Sequence, residues 1–146
     1  MAWTHYVGLV ALAVSFVSFL LTYRLSRRTA VTAIKPVLVF EQDADLVWTI
    51  RNVGNGPALN VVATKKGNEA GWESPLRIPA LAKEGVARLP LSWVGRNYHK
   101  PLGAYYSDIA QRQYSSTCVD YLSRTHLGNQ LRTWPDAEIS PYWQYL

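Results

Sequence analysis

The stretch IRNVGNGPALNVVAT, residues 50–64, decides the fold that the sequence indicates. Two apolar runs in it are separated by a packet of chain-bending residues, Asn52 to Pro57. Glycine and proline are the strongest breakers of regular structure, and they concentrate in turns. The packet is therefore either a glycine-rich binding loop or a corner between two strands.

A glycine-rich phosphate loop opens a helix, because the N-terminus of that helix receives the anion. Here Gly54 and Gly56 are followed by Pro57 and by an alternating apolar run, which indicates a strand. We therefore predict a structural corner. In it the glycines supply positive-φ positions, Asn52 bonds to the local backbone, and Pro57 fixes the start of the next strand.

Alternation of apolar and polar residues also marks the segments before the corner as strands. PVLVFE, after the basic segment, places Leu38 and Phe40 on one face. DLVWTIRNV places Leu46, Trp48 and Ile50 on one face. These apolar faces are expected to form the core.

A hairpin is expected further along, with arms Ala104–Ser107 and Gln113–Val119 and a turn at Asp108–Arg112. The segment CVDYLSRTHLGN, residues 118–129, is assigned to one or two helical turns that end at Gly128. Several short strands at this spacing indicate an antiparallel β-sandwich.

The N-terminal segment is apolar enough to span a membrane. Residues 2–23 contain no Asp, Glu, Lys or Arg, and about 20 helical residues cover the roughly 30 Å hydrocarbon layer. Aromatic residues stand at both ends, as in the interfacial belts of transmembrane helices, and three arginines follow. The predicted membrane anchor residues are Trp3, Tyr6, Tyr23, Arg24, Arg27 and Arg28.

A cleaved signal peptide is the alternative interpretation of this segment. It requires a positive region before the apolar stretch and a small-residue cleavage site. Here the positive charge follows the stretch, and LTYRLSRRTA, residues 21–30, offers no convincing site, so an uncleaved anchor is favoured. Because basic residues collect on the cytoplasmic side, the N-terminus is expected outside and the bulk of the chain inside.

Small residues on one side of this helix offer a contact for a second helix. Gly8, Ala11, Ser15 and Ser18 follow one another at spacings of three and four. Small residues let helix backbones approach closely in lipid. An ordinary lipid-facing anchor is the alternative.

The net charge of +5 lies mostly before residue 41. Residues 1–40 carry four basic groups and no acid, whereas the remainder carries 11 basic and 10 acidic groups. A nucleic-acid-binding protein usually spreads positive charge over its folded part. The lipid bilayer is therefore expected as a partner, and nucleic acid is not.

No residue pattern indicates catalysis, a metal or a cofactor, and none is expected. The single cysteine, Cys118, is interpreted as a small buried side chain. The acidic loop 41–45 could hold Ca²⁺ weakly, but a solvated turn is the simpler interpretation. A nucleophile with a base can be assembled only on paper, from Ser92, His99 and Asp108.

The C-terminal tail is rich in aromatic residues, although most chain ends fray. Three roles are open: packing back on the sandwich, docking on a partner, and contact with the membrane interface. The candidate partner contacts are Trp134, Tyr142, Trp143 and Tyr145.

Two motifs resemble those of a known group of proteins. Asn-x-Gly-x-Gly-Pro-Ala at Asn52–Ala58 is similar to a motif of bacterial membrane-anchored proteins with an immunoglobulin-like or CARDB-like β-sandwich. YYSDIAQRQYSSTC, residues 105–118, resembles their closing hairpin, often Tyr-x-Asp-x-x-Gly-x-x-Tyr, with Ala110 or Gln111 in place of the glycine. The resemblance covers about residues 36–120 and implies an interaction module rather than an enzyme.

The predicted fold class is mainly β: one N-terminal transmembrane helix, a small antiparallel immunoglobulin-like β-sandwich and an irregular aromatic C-terminal tail. The expected limits are residues 1–24 for the transmembrane helix, 25–35 for a basic juxtamembrane linker, 36–120 for the sandwich and 121–146 for the tail. The expected location is the bacterial inner membrane, with the C-terminal domain in the cytoplasm.

The predicted function is that of a non-catalytic single-pass membrane protein. It would be an accessory or assembly subunit that binds other integral membrane proteins of a larger complex through helix, sandwich and tail. The alternative is a membrane-anchored module that binds a small molecule or polysaccharide on a platform of exposed aromatic side chains. The platform residues would be Trp72, Trp93, Tyr98 and Trp134.

Overall fold

Two compact units make up the chain, Met1–Ala33 and Ile34–Leu146. The first is one apolar helix, and the second is a β-rich domain with two sheets. The predicted class, mainly β with an N-terminal helix, is therefore confirmed. The structure is a computed structural model that describes residues 2–43, 45–67, 71–93 and 100–145, without the side chains of residues 2–5, 31, 91, 144 and 145.

Helix α1, Ala2–Ala33, is long and apolar enough to cross a bilayer. Its candidate span, Tyr6–Ala30, has 25 residues and contains an 18-residue apolar window with a mean hydropathy of 2.0. No part of that window is buried inside the protein. Signal sequences near an N-terminus share these properties. By length and composition, α1 can therefore span a membrane.

The same helix continues through most of the segment predicted to be a basic linker, residues 25–35, and ends at Ala33. Neither glycine nor proline interrupts the segment before Pro36. The Thr29 hydroxyl donates to the carbonyl of Leu25 (3.0 Å), which adds a bond within the helix. The basic segment is therefore helical over most of its length, because arginine and alanine are strong helix formers.

Nine strands occur in the described residues of the domain. They are β1 Leu38–Gln42, β2 Trp48–Asn52, β3 Leu59–Lys66, β4 Trp72–Arg77, β5 Val86–Arg88, β6 Leu102–Ser107, β7 Gln113–Val119, β8 Leu122–Leu127 and β9 Ser140–Pro141. The smaller sheet has the order β1-β2-β5, and the larger has the order β8-β7-β6-β3-β4-β9. Neighbouring strands are antiparallel, except that β4 and β9 are parallel. The predicted hairpin thus exists as β6 and β7.

The main core contains the apolar faces of β1 and β2. Leu38, Phe40, Trp48 and Ile50 are buried in it, as the alternation predicts. Leu46 was expected with them but is 60% exposed, with a φ of 60°. That prediction is wrong because β2 begins only at Trp48, so Leu46 belongs to the turn before it.

Strand β3 is buried on both faces, which the alternation of its sequence does not indicate. Val61 and Ala63 belong to the main core, whereas Val62 packs in a second cluster with Trp134 and Ile139. Residues distant in the sequence therefore cover the second face of β3.

Residues 118–129 do not form the predicted helical turns. They include β8, which pairs with β7 along its length. The two-residue turn between these strands has positive φ at Asp120 (50°) and Tyr121 (63°), as in the hairpin turn whose twist matches that of the flanking strands. The larger sheet therefore extends past residue 120, where the sandwich was expected to end.

Hydroxyl groups join the edge of β1 to the larger sheet. The N–H of Leu38 donates to the Tyr106 hydroxyl (3.3 Å), and the N–H of Phe40 donates to the Ser123 hydroxyl (3.3 Å). The Tyr106 hydroxyl also bonds to that of Ser116 (2.9 Å). Free N–H groups on an edge strand invite pairing with another chain, so these bonds protect β1.

A buried carboxylate organises the turn between β6 and β7. Asp108 is fully buried, and its Oδ1 accepts from the N–H groups of Ala110 (2.8 Å) and Arg112 (3.0 Å). Its Oδ2 accepts from the Tyr114 hydroxyl (3.0 Å) and lies 3.0 Å from the Arg112 guanidinium. Gln111, with a φ of 61°, takes the position at which similar hairpins have glycine.

The hydrogen bonds of Asp108 set the direction of its pKa. Burial alone would raise this pKa, but the N–H of Arg112, the Tyr114 hydroxyl and the N–H of Ala110, with the Arg112 charge, lower it below the usual 3.8. A carboxylate of lowered pKa stabilises the fold fully above its unfolded pKa. That contribution is lost as the pH falls through the folded pKa.

We predict that Asp108→Asn destabilises the domain by about 2 kcal/mol at neutral pH, because the amide cannot accept every bond that the carboxylate accepts. The variant should also lose less stability than the wild type below pH ~4. Urea unfolding of the full chain in detergent, followed by tryptophan fluorescence at neutral and acid pH, measures both effects.

Asp136→Asn is the control for this measurement, because Asp136 forms an exposed ion pair with Arg77. It should change the free energy of unfolding little. An equal acid sensitivity of Asp108→Asn and the wild type would contradict the role given to Asp108.

Candidate functional site

The corner between β2 and β3 is organised by a buried carboxamide. Asn52 is completely buried, and its Oδ1 accepts from the N–H groups of Val37 (3.2 Å) and Gly54 (3.0 Å). Its Nδ2 lies within hydrogen-bond distance of three carbonyl oxygens, those of Gly56 (2.8 Å), Leu81 (3.0 Å) and Ala82 (3.2 Å). One side chain thus joins three segments of backbone.

The glycines of the corner are required for close approach, not for backbone angle. Neither Gly54 nor Gly56 has a φ in the left-handed region, so the predicted reason for them is wrong. A Cβ on Gly54 would lie 2.6 Å from the carbonyl oxygen of Lys35. A Cβ on Gly56 would lie 2.6 Å from the carbonyl carbon of Ile34. Pro57 follows and leads into β3.

The N–H groups of the corner donate within the protein. Those of Asn55 and Gly56 point to the Lys35 carbonyl (3.0 and 3.4 Å), and that of Val53 points to the Val37 carbonyl (2.9 Å). A phosphate cradle needs such groups unpaired and convergent. The geometry of the corner is therefore that of a backbone junction.

The aromatic tail packs on its own domain over part of its length. Trp134 is buried and stacks on Tyr105, with ring centroids 6.2 Å apart. Desolvation raises the pKa of the Tyr105 hydroxyl, although a backbone hydrogen bond with Trp134 lowers it in part. The Tyr142 hydroxyl donates to the Arg88 carbonyl (2.9 Å). Of the candidate contacts, Trp143 is 71% exposed, and the side chain of Tyr145 lies outside the described residues.

The predicted anchor residues lie along α1. The Tyr6 and Tyr23 side chains are exposed, and the Arg27 guanidinium lies 5.6 Å from the centroid of the Tyr23 ring, at the distance of a cation–π contact. Arg24 and Arg28 are exposed too. The side chain of Trp3 is outside the described part of the structure.

Of the groups considered for chemistry, Ser92 is exposed, and the others are buried or outside the described residues. Asp108 is fully buried and bonded within its turn, and His99 lies outside the described residues, so the set with Ser92 gains no support. Burial raises the pKa of the Cys118 thiol, which disfavours the reactive thiolate.

No metal-ligating group of three or more His, Cys, Asp and Glu side chains forms in the described ranges of the chain. In the acidic loop, Oδ1 of Asp43 accepts from the N–H groups of Asp45 and Val47, both at 3.0 Å. This carboxylate therefore closes its own turn.

The aromatic side chains proposed for a binding platform do not form an exposed surface. Trp93 and Trp134 are buried, and Trp72 packs half-buried against the second cluster. Tyr98 lies outside the described residues. The alternative function therefore finds no platform among the tryptophans that the structure describes.

Two turns carry exposed apolar side chains that the sequence analysis did not predict. Leu46 and Tyr121 are 60% and 61% exposed. Beside Tyr121, on the outer side of β7 and β8, lies a concavity of ≈ 340 Å³. Its lining residues are Thr117, Val119, Asp120, Leu122, Arg124 and His126. The sequence feature that could have indicated these side chains is the presence of leucine and tyrosine in two turns, where glycine or asparagine usually takes the left-handed positions.

Comparisons of the chain with protein-family models, with curated proteins and with solved structures found no match.

We predict that Gly56→Ala destabilises the domain by about 3 kcal/mol, because the added methyl group meets the Ile34 backbone and cannot be relieved by a rotamer change. Thermal and urea unfolding of the full chain in detergent measure the loss. Gly71→Ala is the matched control, since its Cβ would meet no atom of the described residues within 4 Å, its chain neighbours apart. A Gly56 variant as stable as the Gly71 variant would refute the close-approach explanation.

Proposed function

We propose that the chain is a non-catalytic single-pass membrane protein that acts as an accessory or assembly subunit of a larger membrane complex. Its location would be the bacterial inner membrane, with the N-terminus outside and the C-terminal domain in the cytoplasm. The observation that carries the proposal is α1, a 32-residue helix whose apolar window buries nothing inside the protein itself. Such a helix is suited to lipid and to the helices of other proteins.

One side of α1 supports contact with another helix. Gly8, Ala11, Ser15, Ser18 and Thr22 recur at spacings of three and four, so they share a stripe. Apart from the neighbouring helix backbone, no described atom lies within 4 Å of the place where a Gly8 Cβ would be. The Thr22 hydroxyl donates to the Ser18 carbonyl (2.9 Å), which satisfies its donor within the helix. Close packing of helices in lipid depends on such small side chains.

The orientation rests on charge. Arg24, Arg27 and Arg28 follow the apolar run, and no Lys or Arg precedes it. Basic residues close to the end of a membrane helix stay in the cytoplasm. The stacking of Arg27 on Tyr23 supports this end as the interfacial one, where aromatic and basic side chains gather.

A binding role for the domain is supported by the burial and hydrogen bonding of its polar groups. The carboxylate of Asp108 and the carboxamide of Asn52 are buried and fully engaged in structure, and Cys118 is buried. The two-sheet architecture and the Tyr106-Asp108-Tyr114 turn support the resemblance to immunoglobulin-like or CARDB-like modules, which serve mostly in interactions.

We predict that a cysteine placed in the exposed part of the domain, Gln130→Cys, is protected from a membrane-impermeant maleimide in intact cells and labelled after lysis. Ala2→Cys, before the apolar run, should be labelled in intact cells. Cys118 should stay unlabelled in the folded protein because it is buried. Labelling of Gln130→Cys from outside would overturn the orientation. A mature chain that lacks the first residues would overturn the anchor.

We predict that Ala11→Leu lowers co-purification of partner proteins after mild detergent extraction about tenfold, the effect of roughly 1.4 kcal/mol of lost helix packing. Ala13→Leu makes the same change off the stripe and should leave co-purification unchanged. Quantitative mass spectrometry of the extracted complex measures both. A wild-type chain that always runs alone would count against the proposed function.

A further inference from the structure

Two turns at one end of the domain are held together by an aromatic contact. The first joins β1 to β2, and the second is the Asp120–Tyr121 turn between β7 and β8. Trp48, the first residue of β2, stacks on Tyr121 with ring centroids 5.7 Å apart. Along β2 this end is opposite to the Asn52 corner.

Exposed apolar side chains collect at this end. We call them the turn patch: Leu46, Val119, Tyr121 and Leu122, which are 45–65% exposed. Val119 and Leu122 also line the concavity on the outer side of β7 and β8. Val119, Tyr121 and Leu122 are neighbours in the sequence, and Leu46 lies two residues before Trp48, on which Tyr121 stacks. Grouped exposed apolar side chains are typical of contact surfaces.

At two residues of the turn patch, the backbone conformation is unfavourable for a bulky side chain. Leu46 and Tyr121 have φ of 60° and 63°, in the left-handed region that disfavours bulky residues. Asparagine or glycine would relieve the turns. Tyr121 packs on Trp48, but the exposed part of Leu46 gains little burial within the domain, so the domain's own stability does not explain leucine at this position.

The charges within the two turns are negative, whereas Arg124 lines the concavity beside Leu122. Asp43, Asp45 and Asp120 lie in the two turns, and none of them forms an ion pair with any residue that the structure describes. Trp48 is only 5% exposed, and its Nε1 donor finds no hydrogen-bond partner among the described residues. An anionic lipid surface would be repelled here, whereas a basic protein segment would be attracted.

We propose that the turn patch docks a segment of a partner protein that combines apolar anchors with Lys or Arg side chains. The apolar anchors cover Leu46 and Tyr121 and enter the concavity beside Leu122. The basic side chains meet Asp45 and Asp120. This inference deepens the proposed function and rests on it, since it names the surface and the partner chemistry of the accessory subunit.

The test is photo-crosslinking in the membranes of cells that make the full chain. A photoreactive phenylalanine analogue replaces Tyr121, and Val86, which is 48% exposed on β5, is the control position. We expect a discrete adduct from position 121 only, and peptide mapping should place it in a segment with Lys or Arg among apolar residues. An adduct to lipid, to a second copy of the chain or to a segment without basic residues overturns the proposal, as does no adduct above the control.

Charge neutralisation tests the electrostatic part. Asp45→Asn with Asp120→Asn should lower the adduct yield about tenfold. Asparagine tolerates the φ of 50° at Asp120, so the turn should still form. An unchanged yield overturns the assigned partner chemistry.

A stability measurement distinguishes a role of Leu46 in partner contact from a role in the stability of the domain. Leu46→Asn and Gln111→Gly each relieve a left-handed residue, and both should raise the midpoint of thermal unfolding. Only Leu46→Asn should lower the adduct yield, because Gln111 lies in the β6–β7 turn, outside the turn patch. Equal yields in the two variants overturn the proposal. If the wild type co-purifies with partners and yet gives no adduct at position 121, the inference fails and the proposed function stands.

Discussion

The carboxamide of Asn52 joins three backbone segments that are separate in the sequence. It bonds to segment 34–37, to the corner itself and to segment 81–82. Only a side chain with both donors and acceptors can do this: aspartate lacks the donors, and glutamine is longer by a methylene. A buried amide without partners would cost several kcal/mol, so the corner is favourable only because every partner is in place. Gly54 and Gly56 bring that backbone within reach, and the two sheets then continue from a fixed junction.

Alternation in the sequence predicts strands well where one face of a strand is solvated, as for Leu38 and Phe40. It does not indicate which residues cover the other face of β3, because Trp134 comes from far along the chain. The turn at Tyr121 is not predicted from the sequence, because left-handed positions are usually marked by glycine or asparagine. The reason for glycine at position 56 could not be predicted either, because its close neighbour Ile34 is distant in the sequence.

Prediction of the candidate site from sequence was limited by burial. Aromatic composition pointed to the tail, but Trp134 fills the second cluster, and the exposed apolar side chains lie instead in two turns. Residue type alone does not show whether a side chain is exposed, because exposure depends on the register of each strand.

With a helix stripe and the turn patch, the proposed subunit would hold its complex through two linked contacts. Each contact raises the effective concentration of the other.

The pairing of β9 with β4 gives the domain an order of assembly during synthesis. Chains leave the ribosome N-terminus first, so α1 is complete before any strand exists, whereas β9 emerges after all the other strands. Until Ser140 and Trp134 arrive, the edge of β4 is unpaired and the outer face of β3 is uncovered. An apolar helix that is made first can enter a bilayer while the sheets are still open. Completion of the fold would then be a late event that takes place at the membrane.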